Sequence, residues 1–334
     1  MAAAWEEVRI VQKENRRELN LNGSDVNKKI EDKGLDDAVF DLVSLNNLKI
    51  AGTPLESISD KLGCLTNLTA LSLQNNKLKL LPETIGSLKL LKTLDISGNQ
   101  LKEVPNTLSS LNNIQTLNAN LNELTTFPEV SNMKQLAYLY ISRNQLTSLP
   151  DGICDPTLTL LNTIEVNNNN ITELPSDFFN LPHLTKLNVV ANKLDTLPFE
   201  LCECQKLKEL LIADNKMKDR KMLKLADHST KSLLAYLGTL LSKQKATDSR
   251  SKKDNHKSKQ KKKKDAKKEK EDEEKNQISV LQFDPDNGVS VSVTQAVLGV
   301  RQYIVCCILK NLNFAKSNNM FKRFIALQVI FFHI

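Results

Sequence analysis

The sequence predicts an α/β solenoid, in which short strands alternate with return segments and the units stack along one axis. The first observation is a recurring pattern of apolar residues and one asparagine, seen in a single copy as Leu91, Leu94, Ile96, Asn99 and Leu101. The second is its period, because neighbouring copies begin 22 to 25 residues apart. The eight copies begin at Leu45, Leu68, Leu91, Ile114, Leu136, Leu161, Leu184 and Leu207.

Two apolar positions inside each copy, such as Leu71 and Leu73, alternate as in a short strand with one buried face. A fixed period in the low twenties with this internal pattern is typical of leucine-rich repeats. Stacked copies form a parallel sheet, and the inner face of that sheet contributes to one continuous core. The sequence therefore predicts a leucine-rich repeat horseshoe over residues 45–221.

An asparagine recurs eight residues after each repeat start, where the chain leaves the strand. A buried carboxamide there can satisfy backbone N–H and C=O groups that no longer pair within the sheet. The predicted ladder consists of Asn76, Asn99, Asn122, Asn144, Asn169, Asn192 and Asn215, with Thr53 in the first copy. The Leu-Pro pairs that follow, such as Leu81-Pro82, are expected to begin a short helical or extended return.

Both ends of a solenoid need polar caps, because otherwise the core would open to water. Residues 1–44 are predicted to supply one cap, with a helix over 4–18 followed by a degenerate first repeat. Trp5 is expected to pack in the core under this cap. Residues 222–242 are predicted to supply the other cap, as one helix over 229–242 that begins after Ser and Thr residues.

The tract at 243–275 is predicted to be a disordered linker rich in Lys and Glu. It contains 15 basic and 8 acidic residues, so it carries the whole net charge of +7. It has almost no apolar side chains whose burial could offset the entropy lost on ordering. Residues 276–334 then read as a small α+β fragment, with predicted strands near Ile278, Val289 and Tyr303 and a helix from Asn318.

This last segment resembles the opening of the B3/B4 module of the phenylalanyl-tRNA synthetase beta subunit. The resemblance lies in Val300-Arg-Gln-Tyr303 and in residues 319–328. A repeat array, a charged linker and such a module, in this order, are similar to a family of leucine-rich repeat proteins that carry the module. The resemblance implies a cytosolic protein with RNA association and no complete synthetase.

Two departures from this family pattern are visible. Gln302 stands where the family usually has proline, and residues 329–334 do not resemble the family's continuation. The segment is therefore expected to be a partial module, from a truncated or alternatively spliced product or from an error in the gene model.

The strand side chains that point away from the core form the candidate protein-binding surface. Tyr138 and Tyr140 give it one aromatic spot, with Arg143 expected beside them. Tyr and Arg are enriched among the residues that dominate binding energy. The candidate residues for a protein partner are Tyr138, Tyr140, Arg143, Glu165, Asn118 and Asp95. The alternative is that these are ordinary solvated strand residues.

RNA binding through the basic tract is the second hypothesis. The candidate contacts are Lys261, Lys262, Lys263, Lys264, Lys267 and Lys268. Such a run attracts phosphate without reading sequence, and it lacks the interleaved aromatics on which single-stranded bases stack. A nuclear localisation signal or a solvating linker would have the same composition.

Catalysis is not expected, because the chain lacks a phosphate loop, a dinucleotide fingerprint and a nucleophile motif. Cys202-Glu-Cys204 has the wrong spacing for a zinc knuckle, so no metal or cofactor is predicted. The six cysteines form no flanking clusters, which fits a reducing compartment. There is no secretory signal and no apolar run of about 18 residues. We therefore expect a cytoplasmic, non-catalytic monomer away from membranes, with the nucleus as a second location.

Overall fold

The computed structural model describes residues 4–245 and two short strands further along the chain. The chain divides into two compact units, Met1–Asp248 and Ser249–Ile334. The basic run from Lys261 to Lys268 lies outside the described residues, as do the strand predicted at Tyr303 and the helix predicted from Asn318.

Nine parallel strands form one sheet and follow each other in chain order. The register places equivalent repeat positions side by side, so that Leu94 lies opposite Leu117. The sheet confirms the predicted solenoid of stacked repeats, and its first strand comes from the predicted degenerate repeat. The strands are β1 Glu18–Leu21, β2 Asn47–Ile50, β3 Ala70–Ser72, β4 Thr93–Asp95, β5 Thr116–Asn118, β6 Tyr138–Tyr140, β7 Thr163–Glu165, β8 Lys186–Asn188 and β9 Glu209–Leu211.

Most strands are connected by a return segment that contains one short 3-10 helix. These helices span Asp37–Asp41, Asp60–Cys64, Glu83–Ser87, Asn106–Ser110, Ser176–Asn180 and Phe199–Glu203. The fully described returns after β5 and β6 form turns instead. These are the returns of the 22-residue and 25-residue copies, and β6 lies between these two irregular segments.

The core is one continuous cluster of buried apolar side chains that runs from the first cap to the last. The predicted asparagine ladder beside it is confirmed. In Asn99, Oδ1 accepts the N–H of Leu78 at 3.0 Å, and Nδ2 donates to the carbonyl of Leu73 at 2.9 Å. Each such side chain satisfies backbone groups of the preceding repeat, which would otherwise be buried without partners.

The amino-terminal cap contains α1, Glu6–Lys13, and α2, Ser24–Lys33. Helix α1 is shorter than the predicted 4–18, because Glu18 already belongs to β1. Trp5 is half-buried against the core, and its backbone N–H donates to the Asp36 carboxylate at 2.6 Å. Trp5 thus joins the entrance of the cap to the first return segment.

The carboxyl-terminal cap contains two helices, α3, Arg220–His228, and α4, residues 230–245. Helix α4 lies where the sequence predicts a helix over 229–242, and α3 is an additional helix that was not predicted. Asp219 begins α3 directly after the last repeat, since its carboxylate accepts the N–H of Lys221 at 2.8 Å. Ser229 interrupts the helices, and its hydroxyl accepts the N–H of Ser232 at 3.1 Å. The Thr230 hydroxyl accepts the N–H of Leu210 at 2.9 Å, which covers part of the β9 edge.

The second unit is described by two strands only. Strand β10, Leu281–Gln282, pairs antiparallel with β11, Ser290–Val291. Both strands fall where the sequence predicts strands that flank an Asp-Pro-Asp-Asn-Gly turn.

Candidate functional site

The outward side chains of the sheet form two columns along the concave face. The strand register creates these columns, since each outward residue lies opposite its equivalent in the next repeat. The first column reads Thr93, Thr116, Tyr138, Thr163, Lys186 and Glu209, and the second reads Lys49, Ser72, Asp95, Asn118, Tyr140, Glu165, Asn188 and Leu211. Most of these side chains are at least partly exposed, and Thr163 is buried.

Strand β6 places one tyrosine in each column. The rings of Tyr138 and Tyr140 are stacked, with centroids 6.4 Å apart and an angle of 10° between their planes. Tyr138 is 41% exposed, whereas Tyr140 is half-buried. The pair is therefore an apolar surface with two polar tips, and it is held rigidly on a strand instead of a loop.

A charged group continues from the tyrosines toward β9. Glu165 lies opposite Tyr140, and Lys186 on the next strand reaches back to its carboxylate, with Nζ 2.9 Å from Oε1. The same ammonium lies 3.5 Å from the carboxylate of Glu209. One cation thus joins two carboxylates, and the group retains a formal charge of −1.

The pKa of the Tyr140 hydroxyl reports on this neighbourhood. Burial raises it most, the charges of Glu165 and Tyr138 raise it further, and Lys186 acts in the opposite direction. The tyrosine pair and the carboxylate–lysine group are therefore electrostatically coupled. We call Tyr138, Tyr140, Glu165, Lys186 and Glu209 the concave cluster.

Arg143, which the sequence predicts beside the tyrosines, lies at the carboxyl edge of the sheet. Arg143 lies in the turn after β6, with a left-handed backbone φ of 55°. Its side chain is exposed and makes no hydrogen bond or ion pair within residues 4–245. Lys186, and not Arg143, is the cation that acts on Tyr140.

Asp95 and Asn118 lie in the second column with Tyr140, but their side chains are engaged in local turns. The Asp95 carboxylate accepts from the N–H of Ser97 at 3.0 Å and from its hydroxyl at 2.6 Å. The Asn118 side chain accepts the N–H of Asn120 at 3.2 Å. These bonds shape the end of each strand. Asn118, opposite Tyr140, therefore borders the concave cluster without joining it, and Asp95 lies one strand further away.

A groove of about 330 Å³ lies along the amino edge of β5 to β8 and includes Tyr138. Its apolar side is formed by Tyr138 and by Leu160, which is 45% exposed. Amide and imidazole groups form most of the remainder. The lining residues are Gln115, Thr116, Gln135, Ala137, Tyr138, Leu160, Asn162 and His183. Because Tyr138 belongs to both features, the groove and the concave cluster form one continuous surface.

Lys186, Glu209 and Leu160 are not among the residues that the sequence predicts for the site. For Lys186 and Glu209, the sequence does contain a signal. A lysine in one repeat has a glutamate in the repeat on each side, at positions that the strand register brings close to it. No sequence pattern marked Leu160, because an apolar residue just before a repeat start does not by itself indicate a binding site.

Two cysteines of the described region, Cys154 and Cys204, are poor nucleophiles. Burial raises the pKa of Cys154 to about 12 and that of Cys204 to about 11, so both thiols stay protonated at neutral pH. Within residues 4–245, no group of three or more His, Cys, Asp or Glu side chains is arranged to hold a metal ion. None of the described helices has the length and apolar character needed to cross a bilayer.

Comparison with protein families and curated proteins agrees with the repeat architecture. Two family models described as leucine rich repeat match the chain, one over residues 159–217 and the other over 67–88, 90–111 and 135–156. Bovine osteomodulin is 32% identical over 90 residues, which are 27% of this chain and 20% of osteomodulin. Human leucine-rich repeats and immunoglobulin-like domains protein 3 is 35% identical over 79 residues, which are 23% of this chain and 7% of that protein.

Among solved structures, the crystal structure of PEPR1–AtPEP1 is similar, with a TM-score of 0.51 and 28% identity. The match covers 54% of this chain and 26% of that one. This chain thus spans only a small part of the proteins that it matches. The matched proteins share the repeat with this chain, and the chain contains leucine-rich repeats.

Proposed function

We propose that the repeat array is a non-catalytic scaffold that binds a protein partner on its concave face. Leucine-rich repeats generally mediate protein–protein interaction. The observation that carries the proposal here is the concave cluster, where two stacked tyrosines adjoin a compact charged group. Rigid aromatic residues next to charges are typical of the few positions that dominate binding energy.

Position favours the concave cluster over the rest of the surface. The other outward side chains of the sheet are mostly small and polar, and several are engaged in turns. Tyr138 loses little conformational freedom when a partner covers it, because its neighbour already holds it in a stack. The proposed contact surface is therefore β5 to β9, with Tyr138 and Tyr140 at its centre.

RNA association is the second candidate function, and it rests on the sequence alone. The tract at 243–275 carries the entire net charge, and the residues after Val300 resemble the opening of the B3/B4 module. Binding through Lys261–Lys268 would release counterions and fall steeply with salt. The concave cluster, with its formal charge of −1, is unsuited to phosphate, so the two candidate functions use separate surfaces.

A cytoplasmic or nuclear location, a monomeric state and independence from membranes complete the proposal. They rest on the cysteine pattern and on the composition of the chain.

Photo-crosslinking from within the full-length chain tests the scaffold function. Benzoylphenylalanine at Thr116, beside Tyr138, should capture a protein partner, and adding Tyr138→Ala and Tyr140→Ala should abolish capture. The same crosslinker at Asn106, in a return segment, is the matched control. Capture that is equal at both positions, or unchanged by the tyrosine substitutions, would place the binding surface elsewhere.

A further inference from the structure

We infer that the concave cluster recognises an extended peptide segment in which a cationic side chain lies two residues from an apolar side chain. The inference deepens the proposed function and rests on it, because it specifies the chemistry of the protein partner. Cation recognition, an adjoining apolar groove and a matching spacing support it.

The concave cluster already binds one cation, the Lys186 ammonium, through carboxylates that could also bind a second cation. Lys186 lies 2.9 Å from Glu165, and the exposed Glu209 shares the same ammonium at 3.5 Å. The two carboxylates and the one ammonium have a net formal charge of −1, which an incoming Arg or Lys side chain would neutralise. A phosphate or carboxylate would instead add repulsion, so the charge balance favours a basic partner.

The tyrosines add a second attraction for a cation. Aromatic faces attract ammonium and guanidinium groups that lie within about 6 Å of the ring centroid. Tyr140 lies directly opposite Glu165 in the sheet, so a cation placed against Tyr140 is also next to a carboxylate. Guanidinium fits this combination best, since it stacks on a ring while donating hydrogen bonds in its own plane.

The groove beside Tyr138 provides the apolar half of the site. Leu160 and Tyr138 form its apolar wall, and the exposed amides of Gln115 and Gln135 lie at its rim. The Asn162 amide also lines it but is already bonded to Thr163, Thr185 and the His183 carbonyl. Amides both donate and accept, so they can bond the N–H and C=O groups of an extended backbone. The cavity of about 330 Å³ lies at the lower end of the range for ligand sites, which is enough for one side chain.

The spacing of the two halves matches an extended peptide. Side chains two residues apart on a strand lie on the same face and are separated by about 6.6 Å. The centroids of Tyr138 and Tyr140 are 6.4 Å apart. One peptide side chain can therefore contact Tyr140 and Glu165 while the next on the same face contacts Tyr138 and the groove.

The test is an NMR titration of the full-length, nitrogen-15-labelled chain with acetyl-Gly-Arg-Ser-Leu-Gly-amide. We expect saturable shifts of backbone amides in β6 to β8. A matched peptide with citrulline, the neutral isostere of arginine, should bind about fivefold more weakly, and replacing its leucine with serine should have a similar effect. Equal affinity of the arginine and citrulline peptides would overturn the inference.

Two variants of the cluster should change the affinity for the arginine peptide in opposite directions. Glu165→Gln should weaken binding about fivefold, whereas Lys186→Gln should strengthen it about threefold by removing the competing cation. A purely structural role for Lys186 would give weaker binding instead. Lys49→Gln, in the same face but far along the sheet, is the control and should change nothing.

These outcomes separate the inference from the scaffold proposal. Tyrosine-dependent crosslinking at Thr116 combined with equal binding of the arginine and citrulline peptides would overturn only the inference. Loss of both the crosslink and peptide binding would overturn both proposals. Shifts in β6 to β8 produced by oligouridylate instead of the peptide would show that the face binds nucleic acid, which contradicts the inference.

Discussion

The side chain of Asn122 accepts the backbone N–H of Leu101, in the preceding repeat, at 3.1 Å. Its amide group also donates to the carbonyl of Ile96 at 3.0 Å, again in the preceding repeat. The same pair of bonds recurs along the asparagine ladder. Each asparagine therefore joins two repeats through backbone groups that have left the sheet.

Replacing Asn122 with alanine should lower the free energy of unfolding by roughly 1–3 kcal/mol, because buried backbone groups would lose their partners. Urea denaturation followed by circular dichroism measures the change. Asn113→Ala is the control, since Asn113 also bonds a backbone carbonyl, of Lys89 at 2.8 Å, but at the exposed surface. The Asn113→Ala substitution should lower the free energy of unfolding by no more than about 0.5 kcal/mol. Equal effects of the two substitutions would contradict the ladder role.

Gly152 lies where the two irregular returns around β6 meet. Its φ is 70°, and a Cβ added there would lie 2.8 Å from Cβ of Ser131. Gly52 has a similar φ of 65° but open space around it. Gly52→Ala should therefore cost about 1 kcal/mol from backbone strain alone, and Gly152→Ala about 1–3 kcal/mol more. An equal fall in the denaturation midpoints of Gly52→Ala and Gly152→Ala would contradict the predicted steric clash at Gly152.

Leu121 adopts a left-handed backbone conformation with a φ of 58°. Its side chain is 49% exposed. Asn168 occupies the equivalent position in another repeat with a φ of 56°. Leu121→Asn should stabilise the fold by about 1 kcal/mol, and Asn168→Leu should destabilise it by a similar amount, because a branched side chain is strained there. Thermal unfolding of both variants measures the pair. A destabilised Leu121→Asn variant would mean that the leucine makes contacts that outweigh its strain.

The pKa of Tyr140 offers a test of the cluster geometry that needs no partner. Glu165→Gln should lower this pKa, since the carboxylate raises it, and Lys186→Gln should raise it further. Carbon-13 labelling of the tyrosine ring carbon that bears the hydroxyl lets NMR follow each tyrosine during titration. Glu165→Gln should leave the pKa of Tyr140 partly elevated, because burial is the largest cause of the elevation. A Tyr140 pKa that is unchanged in both would separate the tyrosines from the charged group.

The repeat fold was predictable because every copy repeats the same physical requirements. Leu94 and Leu117 must both be buried, and the chain must turn after each strand, so the pattern recurs in the sequence. The caps were harder to predict because each occurs once. The hydroxyl residues around Ser229 did predict the start of α4, whereas α3, which begins after Asp219, was not predicted.

The candidate site was predictable in part for the same reason. The periodicity placed Tyr138, Tyr140 and Glu165 on one face. It could not show that Lys186 would reach across to Glu165, because that contact depends on a side-chain conformation between two strands. It predicted Arg143 beside the tyrosines, and Arg143 lies in the left-handed turn directly after β6.

The affinity of the full-length chain for the partner captured at Thr116 tests the central claim most directly. Isothermal titration calorimetry should show that Tyr140→Ala weakens binding by more than about 2 kcal/mol, which is roughly 30-fold. Phe179→Ala is the control, since this phenylalanine is also an exposed aromatic but lies in a return segment, and it should change the affinity less than about twofold. Full affinity of Tyr140→Ala, or a loss confined to Phe179→Ala, would contradict binding through the concave cluster.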